Sequence, residues 1–374
     1  MSRVVVLGGG YAGLACLIEL SKRDRNLELH LVDAQPEHCK ITHLHKTFAS
    51  PVDDYSVPYA TLAERFSCRF HHQRVPVTRD DLARWQTSKS IDLSGTELAF
   101  DWLVVCLGAR PLQLAKGENA LSQNDLRYGQ AKDRLERLIE NRETELMEIS
   151  LVGGGATGVQ ILFELHDLLR KRKVPNTLRL VDLKGRLVPD LPAGAHRYIV
   201  KKMQREGIAY HPGTRYLSHD HREISLAEVE TERAFGVPSN LTLLFPGVTT
   251  PVSLQTNPYG QVMIEEQVLP SIFSAGDCAR FNAKGLNALT AQAAVRKGKL
   301  VARNILHLRN GQTPQEYRYQ EKGYLVSLGA TDAVGWVGLR ANLAKGLPAL
   351  LLKEAMETQY DLFLKGVDTY LGFP

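Results

Sequence analysis

Residues 4–33, VVVLGGGYAGLACLIELSKRDRNLELHLVD, decide the fold. A β-branched run breaks into GGGYAG, a stretch with apolar residues at helical spacing follows, and a second apolar run ends on Asp33. Strand, glycine turn, helix, strand and acid, in that order, make the βαβ pattern that binds a dinucleotide. Gly8 makes the tight turn, Gly10 lets a pyrophosphate reach the backbone, and Gly13 lets helix and strand approach. The helix start offers free N–H groups and partial positive charge to phosphate. Asp33, about twenty residues past Gly13, is spaced to accept hydrogen bonds from a ribose. Tyr11, inside the turn, reads as a cover for the backbone near the phosphates.

The pattern recurs farther along. EISLV (148–152) is a strand, GGGATG the turn, VQILFELHDLLRKRK the helix and TLRLV the next strand, ending at Asp182. Gly153, Gly155 and Gly158 take the three glycine roles. An acid at Asp182 accepts from a free ribose 2′-hydroxyl and repels a 2′-phosphate, which predicts NADH over NADPH. Lys184 and Arg186 close by leave some NADPH use open. Two such units in register are far more specific than one.

The segments around these units are less legible. AQPEHCKITHLHKTFAS (34–50) has no clear period and reads as a loop with at most one helical turn. From Arg69 to Leu103, short β-rich runs with turn signals at Asp80–Asp81 and Ser94–Gly95 predict a small antiparallel meander. DWLVVCLGARP (101–111) is a buried strand running into a turn, and 113–149 a charged, solvated helix. A helix is expected from about Gly194 to Glu206, closed by Gly207. SIFSAGDCA (271–279) gives an apolar strand, a small-residue turn and an acid, and residues 286–308 a strong helix. Cys278 reads as a packed small residue, since no base stands near it in sequence. The triplet His219–Asp220–His221 reads as a solvated polar loop. His43, His45, His71 and His72 lack partners at ligand spacing, so no metal site is expected.

With 374 residues, 44% hydrophobic and 23% charged, the chain has the composition of a soluble globular protein of two or three domains. A net charge of +5 is mild and spread out, which argues against dedicated nucleic-acid binding. The five cysteines form no CxxC and no metal-ligand spacing, pointing to reduced thiols and a cytoplasmic protein. The first apolar run is too short and glycine-broken for a signal peptide. No uninterrupted apolar stretch reaches the roughly 18 residues of a spanning helix.

The two glycine fingerprints, LVVCLGARP between them and SAGDCA after the second resemble the two-dinucleotide-binding-domain flavoproteins of glutathione-reductase-like fold, the pyridine nucleotide-disulfide oxidoreductase superfamily. The resemblance covers nearly the whole chain. It implies an α/β fold of two Rossmann-like domains with a C-terminal helical tail. The first domain, residues 1–115 and 251–325, would be discontinuous and hold FAD. Residues 145–250 would hold NAD(P)H, and 326–374 would contact a membrane or a second subunit. The implied FAD contacts are Gly8, Gly10, Tyr11, Ala12, Gly13, Asp33, Val75, Gly108, Gly276 and Asp277. On the nicotinamide side they are Gly153, Gly155, Thr157, Gly158, Asp182 and Gly247.

Within that superfamily GGGATGV, FPGV (245–248) and LTAQAA (289–294) are most similar to the type II NADH:quinone oxidoreductases. This implies hydride transfer from NADH to FAD and two electrons onward to a quinone, with Ala291 and Gln292 beside the flavin. Two departures stand out. The redox CxxxxC of the disulfide reductases is missing after the first unit, where only Cys39 stands, and no cysteine sits at Val159–Ile161 as in similar sulfide:quinone enzymes. The type II enzymes usually carry Glu where Gln160 stands, so the proton route and the acceptor stay open. The alternatives are a soluble reductase of a small redox protein or other small acceptor, and a non-enzymatic NADH-responsive flavoprotein. In the tail NLAKGLPALLLKEAMETQYDLFLKG, Leu351, Leu352, Ala355, Met356, Leu362 and Phe363 form one apolar face. It reads as a helix lying peripherally on the inner face of the membrane, on the protein's own body, or on a second subunit. Four basic and four acidic residues after Arg340, that residue included, leave little electrostatic pull toward anionic lipid.

Overall fold

A computed structural model describes residues 1–114, 117, 119–141, 146–220 and 222–369. Among these, two parallel-rich sheets carry the architecture. The larger has eight strands, in the order Ala279–Phe281, Leu254–Thr256, Gln261–Ile264, Gln267–Ser274, Trp102–Val105, Ser2–Leu7, Leu27–Asp33, Cys68–His72. The smaller has five, Ala120–Ser122, Leu241–Leu244, Met147–Val152, Asn176–Val181 and Ala209–His211. Ser2–Leu7 runs parallel to both neighbours, with Val4 opposite Leu29 and Trp102. The second unit repeats this, with Ile149 opposite Leu178 and Leu241. Strands buried on both faces read as continuous β-branched runs rather than alternating ones, which is why VVVL and EISLV carried the signal.

The chain therefore leaves the larger sheet after Val105, builds the smaller one, and returns at Leu254. Helix Tyr11–Arg23 covers the first sheet and is buried from Tyr11 to Leu20. Leu14, Leu17, Ile18 and Leu20 are fully enclosed, each stabilising by about 1.5–3 kcal/mol relative to exposure. Helix Ala291–Arg309 packs across it so closely that a Cβ on Gly298 would lie 2.1 Å from the Ala12 carbonyl oxygen. Thr290 caps this helix by accepting from the Ala293 N–H at 3.2 Å. The two helices share one core with Phe273, Tyr360 and Phe363.

Several sequence expectations need correction. Asp80 and Asp81 are not a turn but the first turn of helix Arg79–Ser88. Thr78 caps it in a reciprocal box with Asp81, and Leu82 and Trp85 face the core. The expected meander shrinks to the Ser90–Leu93/Thr96–Ala99 hairpin, since Cys68–His72 and Trp102–Val105 join the parallel sheet. The charged stretch is two helices, Gln123–Arg127 and Gln130–Asn141, preceded by a short strand, Ala120–Ser122. Residues 34–50 are more regular than expected: strand Glu37–Cys39, then a 3-10 helix Ile41–Phe48 whose His43, Leu44, His45, Thr47 and Phe48 are buried. His219 is not solvated; it lies in strand Thr214–Asp220, 4% exposed, its Nε2 3.1 Å from the Ser239 carbonyl. His221 lies outside the described residues, as do residues 115, 145 and 370–374 of the expected domains.

The tail forms helix Leu347–Leu364. It docks on the body through Leu350, Lys353, Tyr360, Phe363 and Leu364, and leaves Leu347, Leu351 and Leu352 exposed. The single apolar face read from sequence is thus divided: Phe363 points into the core and Leu351 into solvent.

Candidate functional site

The two glycine turns are built alike. Gly8 has φ +101°, and a Cβ there would sit 2.3 Å from the Cys106 carbonyl oxygen; at Gly13 it would sit 1.9 Å from the Gly8 oxygen. In the second unit Gly153 has φ +110° with the Phe245 oxygen at 2.0 Å, and Gly158 meets the Gly153 oxygen at 2.0 Å. Only glycine fits these four places. At Gly10 and Gly155, by contrast, an added Cβ would meet nothing within 4 Å, so open space lies above both helix starts.

Neither Gly10 nor Gly155 caps its helix with a side chain, whereas Thr78 and Thr290 do cap theirs. The first-turn N–H groups are thus left to a ligand. Open space, free donors and the helix dipole together fit the pyrophosphate of a dinucleotide in both units.

The two acids also match atom for atom. Asp33 accepts from the Gly9 N–H at 2.6 Å and the Gln35 N–H at 2.7 Å. Asp182 accepts from the Gly154 N–H at 2.6 Å and the Lys184 N–H at 2.8 Å. Each carboxylate therefore ties its strand end to its own glycine turn, a role spacing alone does not show, and keeps lone pairs for a ribose hydroxyl. Burial raises the Asp182 carboxyl, and the two backbone donors oppose it.

Gly276 (φ +85°) brings Asp277 against the first helix, a Cβ there lying 2.9 Å from that of Ala12. Burial raises the Asp277 carboxyl, opposed by Lys297 and Arg280. Lys297 is fully buried and donates to the Gly276 and Ala279 carbonyls at 3.2 and 2.7 Å, between the rings of Phe281 and Tyr317. Burial pulls its ammonium down to about 8. Ala291 and Gln292 occupy the helix's first turn and are partly exposed. Gly108 and Gly247 both hold left-handed turns, and the strand pair Arg110–Pro111/Val248–Thr249 adjoins them. Val75 packs on the far side of the larger sheet, and Thr157 sits in the second helix's first turn.

Gln160 is 9% exposed, and its Oε1 accepts from the Ser327 N–H and Oγ–H at 3.3 and 3.2 Å. It ties the helix Ala156–Lys171 to strand Gly323–Ser327. Cys278 is buried with its Sγ 3.6 Å from the Val105 carbonyl and its thiol pushed up by burial, a packed and inert group. Among the described residues no group of three or more His, Cys, Asp and Glu is arranged to hold a metal ion.

Sequence reasoning missed the groups around Tyr11. Its hydroxyl is 3.0 Å from Thr42 Oγ1, and its ring meets that of Tyr360 at a tilt of 34°, with centroids 4.5 Å apart. His38 bridges the Gly9 carbonyl (3.1 Å) and the Tyr360 hydroxyl (3.0 Å); burial holds its imidazole near 3, hence neutral. Thr42 and His38 lie about thirty residues from the glycine turn and Tyr360 comes from the far end of the chain, so no local spacing reveals them. Lys297 was also unmarked, since in sequence it is one of several basic residues on its helix.

Family comparison matches residues 2–298 to the pyridine nucleotide-disulphide oxidoreductases. Among curated relatives, the type II NADH:quinone oxidoreductase of Staphylococcus saprophyticus is 24% identical, covering 98% of this chain and 96% of the relative. That of Staphylococcus epidermidis is 26% identical with the same coverage. Among solved structures, the sulfide:quinone oxidoreductase of Aquifex aeolicus superimposes with TM-score 0.79 at 18% identity, covering 98% of this chain and 92% of that one. The NDH2 of Plasmodium falciparum gives 0.78 at 13% identity, covering 96% and 94%.

Proposed function

The chain belongs to the pyridine nucleotide-disulphide oxidoreductase family, and on that premise we propose that it oxidises NADH through FAD and passes two electrons to a quinone. The observation that carries this is the pair of matched glycine cradles in one chain, each with open helix donors and its own acid. FAD in the first cradle supplies the redox chemistry; NADH in the second supplies the hydride. The discontinuous unit of residues 1–115 and 251–325 would hold FAD, with Gly8, Gly10, Gly13, Asp33, Gly276 and Asp277 as its contacts. Residues 145–250 would hold NADH, with Asp182 selecting it over NADPH.

The quinone half rests on the names of the relatives and on Gln292. Gln292 is the long polar side chain in a first turn otherwise made of alanines, and it offers both a donor and an acceptor. A quinone carbonyl needs a donor, more so as negative charge develops on it. Exposed Leu347, Leu351 and Leu352 suit peripheral contact with the membrane where quinone is dissolved. A second reading, transfer to a small soluble acceptor, is favoured by Gln160, an amide bound to Ser327 rather than a titratable acid.

The test is stopped-flow reduction of the yellow protein by NADH, then reoxidation by quinone, in the wild type and Gln292→Ala. The variant should reduce normally and reoxidise about 5- to 150-fold more slowly, the cost of one partly buried hydrogen bond. Loss of both half-reactions would make Gln292 a flavin or structural residue. A colourless protein that cannot take up FAD would end the reading.

A further inference from the structure

Neither half-reaction above uses Lys297, although it is a fully buried charge. It stands on helix Ala291–Arg309 beside Gly298, where a Cβ would meet the Ala12 carbonyl oxygen at 2.1 Å. Its Nζ donates to the Gly276 carbonyl at 3.2 Å and to the Ala279 carbonyl at 2.7 Å, the two ends of the turn that carries Asp277. The Ala279 N–H closes the same turn onto the Gly276 carbonyl at 3.2 Å. The rings of Phe281 and Tyr317, 5.4 and 5.7 Å from the ammonium, complete its enclosure. Gly276 in turn abuts Ala12, in the first turn of helix Tyr11–Arg23, whose start is open above Gly10. One tight turn thus joins the buried ammonium, Asp277 and the helix start.

We propose that Lys297 is a positioning residue for FAD, a buried counter-charge that fixes the Gly276–Ala279 turn and lets Asp277 and a pyrophosphate share one helix start. This rests on the placing of FAD in the first cradle. An ammonium out of water is costly unless an opposite charge meets it. The hydrogen-bond partners of Lys297 are neutral carbonyls, and the strongest charge acting on it is that of Asp277. A carboxylate and a pyrophosphate side by side repel, and more strongly in a water-poor site. With the ammonium hydrogen-bonded to the turn, the carboxylate keeps its lone pairs for FAD hydroxyls while its charge is offset.

The surroundings set how this depends on pH. Burial pulls the Lys297 ammonium down to about 8; Asp277 and then Cys278 oppose the fall, and Arg280 adds to it. Burial raises the Cys278 thiol and the Tyr317 phenol, whose hydroxyl donates to the Leu286 carbonyl at 2.9 Å, so neither titrates in the same range. An anion docking at the helix start raises the ammonium, so FAD binding takes up a proton wherever Lys297 is neutral beforehand. Affinity is therefore full well below 8 and falls as pH rises through the ammonium's range. A rise of one unit, from about 8 to about 9, is worth a factor of about 10 in affinity.

The experiment titrates the full-length chain, stripped of FAD, with FAD at several pH values, in two buffers of different ionisation heat. At about pH 8.5 the wild type should take up roughly half a proton per FAD, and Lys297→Gln, which keeps an N–H donor without the charge, none. Lys297→Gln should bind FAD about 10-fold more weakly than the wild type at about pH 7. The difference should shrink below about 2-fold at about pH 9.5, where the wild-type amine is also neutral. Far-UV circular dichroism checks that the variant is folded; if it is not, proton uptake by the wild type decides alone. No uptake by the wild type, unchanged uptake in Lys297→Gln, or an equal loss of affinity at both pH values overturns the counter-charge and leaves Lys297 a packing residue. A folded wild-type chain that binds no FAD at any pH overturns the placing of FAD, and the proposal with it.

Discussion

At Asp182 a single carboxylate has two tasks, holding the second glycine turn and reading the ribose. Asp182→Ser keeps an acceptor but removes the charge that repels a 2′-phosphate. The NADH-over-NADPH preference in flavin reduction should therefore narrow by about 10-fold, the worth of 1.4 kcal/mol, and a preference that stays intact would free Asp182 of the discriminating role. One helix turn past Gln160, Glu164 makes a different prediction. Burial, then the Asp167 charge, raises its carboxyl to about 7. Between its unfolded value of 4.5 and about 7 the folded state holds a proton that the unfolded chain has released. Stability from this group is thus full below 4.5, falls as pH rises to about 7, and is flat beyond. Glu164→Gln copies the protonated form, so it should gain about 1–3 kcal/mol in urea unfolding at pH 8 and little at pH 4. Equal gains at both pH values would remove Glu164 as the source.

Among the elements, the helix Leu347–Leu364 is where sequence and structure part most. Its period was legible, but two partners compete for its apolar residues. Phe363 is fully buried, with the Lys22 and Lys299 ammoniums 5.7 and 4.7 Å from its ring centre, while Leu351 is 61% exposed. Phe363→Ala should cost about 3–5 kcal/mol in chemical denaturation, and Leu351→Ala under about 0.5. A large Leu351 loss in the isolated protein would mean that this face is already covered. Lys40–Asp361 and Lys46–Glu354 ion pairs fix the same helix to the body, and Lys299–Asp368 fixes the segment that follows it. The helix Tyr11–Arg23 gave itself away because its glycines, cap and acid all lie within one short window. The Ile41–Phe48 segment did not, since its buried histidines are polar in sequence and His43 meets Glu357 of the C-terminal helix only in the fold; just before it, His38 meets Tyr360, 322 residues away.

In the whole molecule, the duplicated unit and the two-sheet plan were legible because parallel βαβ units write their pattern locally. The short strands Gln261–Ile264 and Leu254–Thr256, and the edge strand Ala279–Phe281 beyond them, were not, since their neighbours rather than a local period define them. The larger sheet also has a temporal consequence. Its strand Trp102–Val105 waits for Gln267–Ser274 as its outer neighbour, with the whole smaller sheet intervening. On the ribosome the inner unit is complete once Leu244 has emerged, while the outer one still lacks four strands and its long covering helix. At roughly 5–20 residues per second that delay lasts several seconds. For that interval the edge of Trp102–Val105 is open, and the nascent chain depends on the finished inner unit, or on a chaperone, to keep that edge from pairing elsewhere.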